Sequence, residues 1–309
     1  MTIARQDFYS GKNCLIAFLL SLCYLLLSFF LIGFKTDQLF LIGIFNACFF
    51  ASRITRKFII GFSIFIVYWI VFDYMKAFPN YTFNKVHIAE LYNTEKAIFG
   101  FTADGNIITP NEFWKQNGAT SLDVLTGIFY LCWIPVPLLF AAWLFFKDKG
   151  IFLHFSLTFV LVNLIGFVIY YVYPAAPPWY FQLHGDTFIP GTIGNTAGLH
   201  KFDDYFNVGI FHSLYEKSSN VFAAMPSLHS SYPLIVLYYG IKKKMGWVNI
   251  IFATVMLGIW FAAVYTSHHY IIDVLAGISC AILGILIFQK LLLKSAFFRR
   301  FLKNYLAKI

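Results

Sequence analysis

The sequence predicts an all-α polytopic membrane protein with about eight transmembrane helices, and three observations carry that expectation. The 309 residues are 60% hydrophobic and only 12% charged, whereas a soluble domain carries about a quarter charged residues. Apolar runs of near the roughly 20 residues that cross a bilayer recur along the chain. Lysine and arginine are divided unevenly between the segments that join those runs.

In chain order, the first run, 13–34, is too long for a signal-peptide core and lacks a small-residue cleavage site, so it reads as a retained helix. Further spans fall at 37–52, 57–75, 121–146, 151–173, 225–241, 246–266 and 268–293. Two long polar segments, 76–120 and 174–224, interrupt them. The other connections are short, so neighbouring spans should pack antiparallel. The five cysteines (Cys14, Cys23, Cys48, Cys132, Cys280) lie inside apolar runs without a C-x-x-C pair, which points to neither a disulfide framework nor a cysteine metal site.

With both termini in the cytoplasm, the inner segments are 1–12, 53–57, 147–149, 242–244 and 290–309. They hold Arg5, Lys12, Arg53, Arg56, Lys57, Lys147, Lys149, Lys242, Lys243 and Lys244, with six more basic residues in the tail. Only Asp7 and Asp148 oppose them there, while the outer face carries seven lysines, twelve acidic residues and no arginine. The net charge of +9 is therefore a topology signal with some attraction for anionic lipid, and no nucleic-acid partner is expected. Both polar segments then lie on the extracytoplasmic or luminal side.

Two outer helix mouths carry ionisable groups. One is "AAMPSLHSSYP", with Pro226, Ser227, Leu228 and His229; the other is "YTSHHYIIDVLAG", with His268, His269 and Asp273. His269 and Asp273 are four apart, which puts them on one helical face. The carboxylate can then fix the imidazole tautomer and leave the other ring nitrogen as base or nucleophile. Ser227 is a candidate cap whose free helix-start amides suit an anion, with His229 close by. The bland alternative makes each histidine an interfacial anchor, but ionisable groups inside spans are expensive and usually functional. Metal ligation is disfavoured, because His268 and His269 diverge by roughly 100° on a helix.

The spacing of P-S-L-H and H-x-x-x-D resembles the type 2 phosphatidic acid phosphatase superfamily. Its core of six transmembrane helices would be supplied by the last six spans. Against its signature of K-x(6)-R-P, P-S-G-H and S-R-x(5)-H-x-x-x-D, Leu228 replaces the glycine and Ala263 the arginine, and no K-x(6)-R-P occurs. Together with "YPAAPPWY" (Tyr173–Tyr180), these departures are similar to the inositol phosphorylceramide synthase branch and its bacterial relatives. The resemblance covers about 57–293, which leaves 1–56 as an added hairpin and 294–309 as a basic cytoplasmic tail.

That resemblance implies a metal-independent, cofactor-free phosphotransfer from a membrane phospholipid, with phosphatidylinositol the expected donor, to the hydroxyl of ceramide. His269 would form a phosphohistidine, Asp273 would orient it, and His229 would act as acid and base. With no outer arginine, phosphate must be held by lysine, histidine and backbone N–H groups; the candidates are Ser227, Ser230, His268 and, from "NKVHIAELYNTEKAIFG", Lys85, His87 and Lys96. A solvated loop face is the other reading of Lys85 and Lys96. In the same stretch Ile88, Leu91, Glu95 and Ile98 are spaced for a short interfacial helix, apolar side down. Prolines keep the middle of "YPAAPPWY" from being helical; Pro178, Trp179 and Tyr180 are expected to line the site mouth and anchor at the interface. Two other functions stay open at this point: a lipid phosphate phosphatase acting on phosphatidic acid or a polyprenyl diphosphate, and a pH-sensing transporter, against which no inverted repeat is found.

Overall fold

In the computed structural model, residues 9–216 and 220–309 are described; Arg5 and Asp7 of the charge count lie outside the described residues. From the N-terminal side, α1 (Gly11–Ile32), α2 (Thr36–Ala51) and α3 (Arg53–Tyr74) follow one another through tight joints. The first polar segment forms α4 (Ala89–Phe99), a hairpin of β1 (Phe101–Ala103) and β2 (Asn106–Ile108), and α5 (Pro110–Gln116). Next come α6 (Thr120–Leu131), α7 (Pro135–Lys147) and α8 (Lys149–Val172). The second polar segment carries α9 (Pro178–His184), α10 (His200–Phe206) and α11 (Ile210–Glu216). The chain continues through α12 (Leu228–Lys242), α13 (Val248–Tyr265), α14 (Ile271–Lys290) and α15 (Ala296–Leu306).

Helices stand at every predicted span, and the chain is an integral membrane protein. Among the described residues, six helical stretches are long and apolar enough to cross a membrane. The other two are shorter: α2 has 16 residues and α12 has 15, or about 24 and 22 Å at 1.5 Å per residue. The predicted span 121–146 is one crossing in two pieces, α6 and α7. The break falls where Pro135 withdraws an N–H from the helical ladder and crowds the preceding turn. On α1, Phe18, Leu19, Leu20, Phe29 and Phe30 point outward, more than half exposed, as a lipid-facing surface requires.

The core is aromatic and lies between α3, α7, α8 and α12, with Phe65, Phe140, Phe152, Phe155, Phe159, Tyr232 and Tyr239 buried together. Its tyrosine hydroxyls find partners: Tyr232 donates to Asn163 Oδ1 at 2.7 Å, and Tyr68 and Tyr232 hydroxyls meet at 3.0 Å. At the predicted cytoplasmic end, Lys243 reaches Asp148 at 2.6 Å and joins α12 to α8. The tail is a docked helix: Leu302 of α15 is buried, and Tyr305 donates to the carbonyl of Ile60 on α3 at 2.6 Å.

The two polar segments are stitched together over the histidine end of the bundle. Ala175 bridges in parallel to His87 on one side and Ala223 on the other. Asn80, fully buried, donates to the carbonyls of Tyr170 and Phe222. Two expectations change here. Helix α4 exists, but its Leu91 and Glu95 face is buried against protein, beside Ala175 and Tyr270, while Ile98 is exposed. Spacing alone does not say whether an apolar face meets lipid or the rest of the fold. Trp179 and Tyr180 are likewise buried, packing with Val86, Ile88, Ala176 and Phe222.

Candidate active site

The two histidine motifs meet at the starts of α12 and α14. Ser227 N–H donates to the Asp273 carbonyl at 2.9 Å, and Ser231 Oγ donates to the Gly277 carbonyl at 2.6 Å. Gly277 makes this approach possible, since a Cβ there would lie 2.0 Å from the Ser227 carbonyl oxygen. Gly277→Ala is expected to cost about 1–3 kcal/mol through the backbone shift it forces. A melting curve in detergent checks this, with headgroup transfer lost in parallel. Leu228, where the superfamily signature has glycine, is accommodated by Gly166 of α8, whose missing side chain leaves room for it. Ser227 stands at the N-cap position of α12, but its hydroxyl caps nothing and instead accepts from Ser230 Oγ at 3.0 Å.

His269 is not helical, contrary to the simple four-residue spacing. It precedes the N-cap Tyr270 of α14, in a turn reversed by Ser267 at φ 59°, a conformation uncommon for a residue with a side chain. The Ala263 carbonyl accepts from both His268 N–H and His269 N–H at 3.1 and 3.0 Å. Ala263, which replaces the signature arginine, is fully buried with Tyr130, Leu199 and Phe202.

Within this turn, His269 Nε2 lies 3.2 Å from His229 Nδ1, although the residues are 40 apart in sequence. Asp273 Oδ2 is 3.7 Å from His269 Nδ1 and also accepts the Tyr270 N–H at 2.8 Å. The carboxylate is thus on the Nδ1 side of the ring, slightly beyond hydrogen-bond length. It favours a proton on Nδ1, which leaves the Nε2 lone pair to accept from His229 Nδ1–H. Asp273 is fully buried; His268 and His269 are 4% and 6% exposed, so the cluster is withheld from bulk water.

Five residues given no site role by the sequence complete the surroundings. Tyr130 Oη of α6 lies 3.1 Å from His229 Nδ1 and accepts from Tyr215 Oη of α11 at 3.3 Å. The Trp133 ring meets the His229 ring edge to face at 4.4 Å. Asn111 of α5, fully buried, donates through Nδ2 to the carbonyls of Val264 and His269. Glu95, singled out only for its helical spacing, accepts from Ile271 N–H at 3.0 Å and Ile272 N–H at 3.2 Å.

The other expected residues are placed less directly. His268 Nδ1 pairs with Thr266 Oγ1 at 3.1 Å, and its ring lies 4.5 Å from Tyr215. Trp179 N–H donates to the Ser267 carbonyl at 3.0 Å, which ties the helix beginning at Pro178 to the histidine turn. Tyr180 donates to the Thr187 carbonyl. Lys85 is exposed and paired with Glu90 at 2.7 Å, His87 stacks on Tyr173 at 3.8 Å, and Lys96 donates to Tyr92 Oη at 3.3 Å. Among the described residues, no three His, Cys, Asp or Glu side chains cluster as metal ligands would.

A family model of the PAP2 superfamily matches residues 106–287 and so takes in both histidine motifs. The chain is 45% identical over 298 residues to a phosphoinositol dihydroceramide synthase of Bacteroides thetaiotaomicron, covering 96% of this chain and 98% of that protein. It is 30% identical over 180 residues to an inositol phosphorylceramide synthase of Candida albicans, 54% of this chain and 36% of that one. To an inositol phosphorylceramide synthase catalytic subunit of Saccharomyces cerevisiae it is 32% identical over 133 residues, 41% and 31% of the two chains. The fungal relatives are therefore matched over only about a third of their length. No solved structure matches. The phosphatase-type histidine motifs were the right guide to descent, and this chain belongs to the PAP2 superfamily.

Proposed function

We propose that this chain is a membrane lipid phosphotransferase that moves phosphoinositol from phosphatidylinositol to the primary hydroxyl of ceramide. The observation that carries the reading is the His229–His269 contact, buried at the junction of the two motifs. The near full-length similarity to a protein named phosphoinositol dihydroceramide synthase supports this donor and acceptor.

In this reading His269 Nε2 attacks the phosphorus of the donor, and the bond from phosphorus to the diacylglycerol oxygen breaks. His229, entering the step as the imidazolium, gives its Nδ1 proton to that oxygen and is left as the neutral imidazole. The 3.2 Å between the rings is too short for an in-line phosphoryl group, so substrate takes the place of the resting contact. Tyr130 keeps a partner on Nδ1 as the rings part. Ceramide then enters, His229 takes its hydroxyl proton, the new oxygen–phosphorus bond forms and the phosphohistidine bond breaks. Asp273 holds the His269 tautomer throughout. Ser227, Ser230, His268 and the first-turn amides of α12 stabilise the phosphoryl oxygens. Pro178, Trp179 and Tyr180 wall the site, and Lys85, His87 and Lys96 draw the anionic donor to the rim. The scheme needs no cofactor and no metal.

The unit that performs this chemistry is 57–293, with 1–56 an added hairpin and 294–309 a cytoplasmic appendage. Positive-inside charge places both termini in the cytoplasm and the site on the extracytoplasmic or luminal side. The test is reconstitution with fluorescent ceramide and a panel of phosphatidylinositol, phosphatidylethanolamine, phosphatidylcholine and phosphatidic acid. Thin-layer analysis is expected to give one new polar ceramide product, with phosphatidylinositol alone, unchanged by a strong chelator. Release of free phosphate from phosphatidic acid without a ceramide product would make the protein a phosphatase. Loss with chelator, restored by a divalent cation, would overturn the metal-free scheme.

A further inference from the structure

We propose that Glu95 is a positioning residue for His269, acting through the backbone at the start of α14, with Asn111 holding the opposite side of the same turn. The inference rests on the reading of His269 as the nucleophile. Glu95 belongs to the first polar segment and lies outside the part of the chain that the family model matches, which begins at residue 106. Its two oxygens accept from the amides of Ile271 and Ile272, so both are spent on the two residues that follow Tyr270. Asn111 spends both Nδ2 protons on the carbonyls of Val264 and His269. Acceptors on one side and donors on the other therefore bracket residues 264–272, with Glu95 and Asn111 both fully buried.

This bracket matters because it ties the His269 end of the turn to the first polar segment, beside the bonds already made at Ala263, Ser267 and Tyr270. His269 is followed by a single N-cap residue before α14, and its ring must aim Nε2 at phosphorus while Asp273 stays behind Nδ1. A misplacement of about 1 Å at a reacting atom costs about 100-fold. A carboxylate at a helix start also meets the positive end of the helix dipole, and here it replaces water for two amides that have no helical partner.

Glu95 also confers a pH signature. Burial pushes its carboxyl up to about 7, with nearby Asp273 adding to the rise and the two amides opposing it. Asp273 and Tyr270, of α14 and its cap, interact electrostatically with Glu95, and Glu112 of α5 and Tyr92 of α4 lie around Tyr270 in turn. Tyr92 donates to Glu112 and receives from Lys96, so that ammonium is directed at Tyr92. Below about pH 7 Glu95 gains a proton, one oxygen becomes a donor, and one amide of the pair loses its acceptor. Turnover should therefore fall on acidification. The stability contribution runs the other way. A carboxyl whose folded value is raised from 4.5 to about 7 stabilises the fold at low pH and loses that contribution as pH rises between those values. An acid limb in turnover is thus not explained by unfolding through this group.

The test compares wild type, Glu95→Gln and Glu95→Asp in proteoliposomes, reading kcat and KM for diacylglycerol release from phosphatidylinositol on either side of pH 7. Donor cleavage is the readout because it reports His269 whether the acceptor is ceramide or water. Absence of a ceramide product in wild type thus counts against the transferase reading and leaves this test intact. Glu95→Gln turns an amide N–H₂ toward a backbone N–H. It is expected to lower kcat about 10- to 100-fold with little change in KM and to flatten the acid limb. Glu95→Asp, one methylene shorter but still ionisable, should lower kcat and keep the limb. Wild-type kcat and an unshifted limb in either folded variant would overturn the proposal, as would a loss confined to thermal stability.

Discussion

His269→Ala is expected to lower headgroup transfer by at least about 10⁴-fold, the scale on which removing a covalent nucleophile acts. The ring is almost fully buried, its Nε2 is met by His229 and its Nδ1 side faces Asp273, and the one imidazole in contact with it, His229, is already engaged in moving protons in this scheme. Direct attack by an acceptor hydroxyl would have to form on a phosphorus positioned for the imidazole, with the turn's geometry now wrong for it. Donor cleavage and ceramide product should vanish together in a thin-layer assay. A variant that elutes and melts like wild type yet retains substantial transfer would remove His269 from the nucleophile's role.

His229→Ala is the second large effect, about 10²- to 10⁴-fold, as for loss of a general acid or base. Its signature is selective. In the scheme His229 protonates the leaving oxygen in the first half and deprotonates the acceptor in the second. A donor with a more acidic leaving group needs no such proton, so His229→Ala should regain the first half and accumulate loaded protein. His269→Ala should regain nothing with the same donor. Equal rescue of both variants would show that the two histidines do not divide the work in this way.

Much of the bundle was legible because its signals are local. Apolar runs and flanking lysines and arginines located the helices, and a Pro-Ser-Leu-His sequence with a His-x-x-x-Asp spacing located the two mouths. Pro135 also carried a local signal, and the broken crossing at 132–134 follows from it. The rest of the site is made by contacts no window reveals. Tyr130 and His229 are 99 residues apart, Asn111 and His269 are 158, and Glu95 and Ile271 are 176. In sequence these appear as a tyrosine in an apolar run, an asparagine after Pro110 and an acid on a short helix. Trp179 and Tyr180 were open to misreading for a related reason: aromatic rings suit both an interface and a protein core. The turn at Ser267 was hidden because a left-handed serine carries no sequence mark comparable to glycine.

A phosphohistidine intermediate is a covalent adduct whose mass can be read on the peptide that carries it. Protein loaded with phosphatidylinositol in the absence of ceramide is quenched at alkaline pH and digested, and the peptide carrying His268 and His269 is weighed and fragmented. The expected result is a phosphoinositol adduct on His269 that is acid-labile, absent from His269→Ala and discharged when ceramide is added before the quench. An unmodified peptide from protein that cleaves its donor and transfers the headgroup at full rate would contradict the phosphohistidine route.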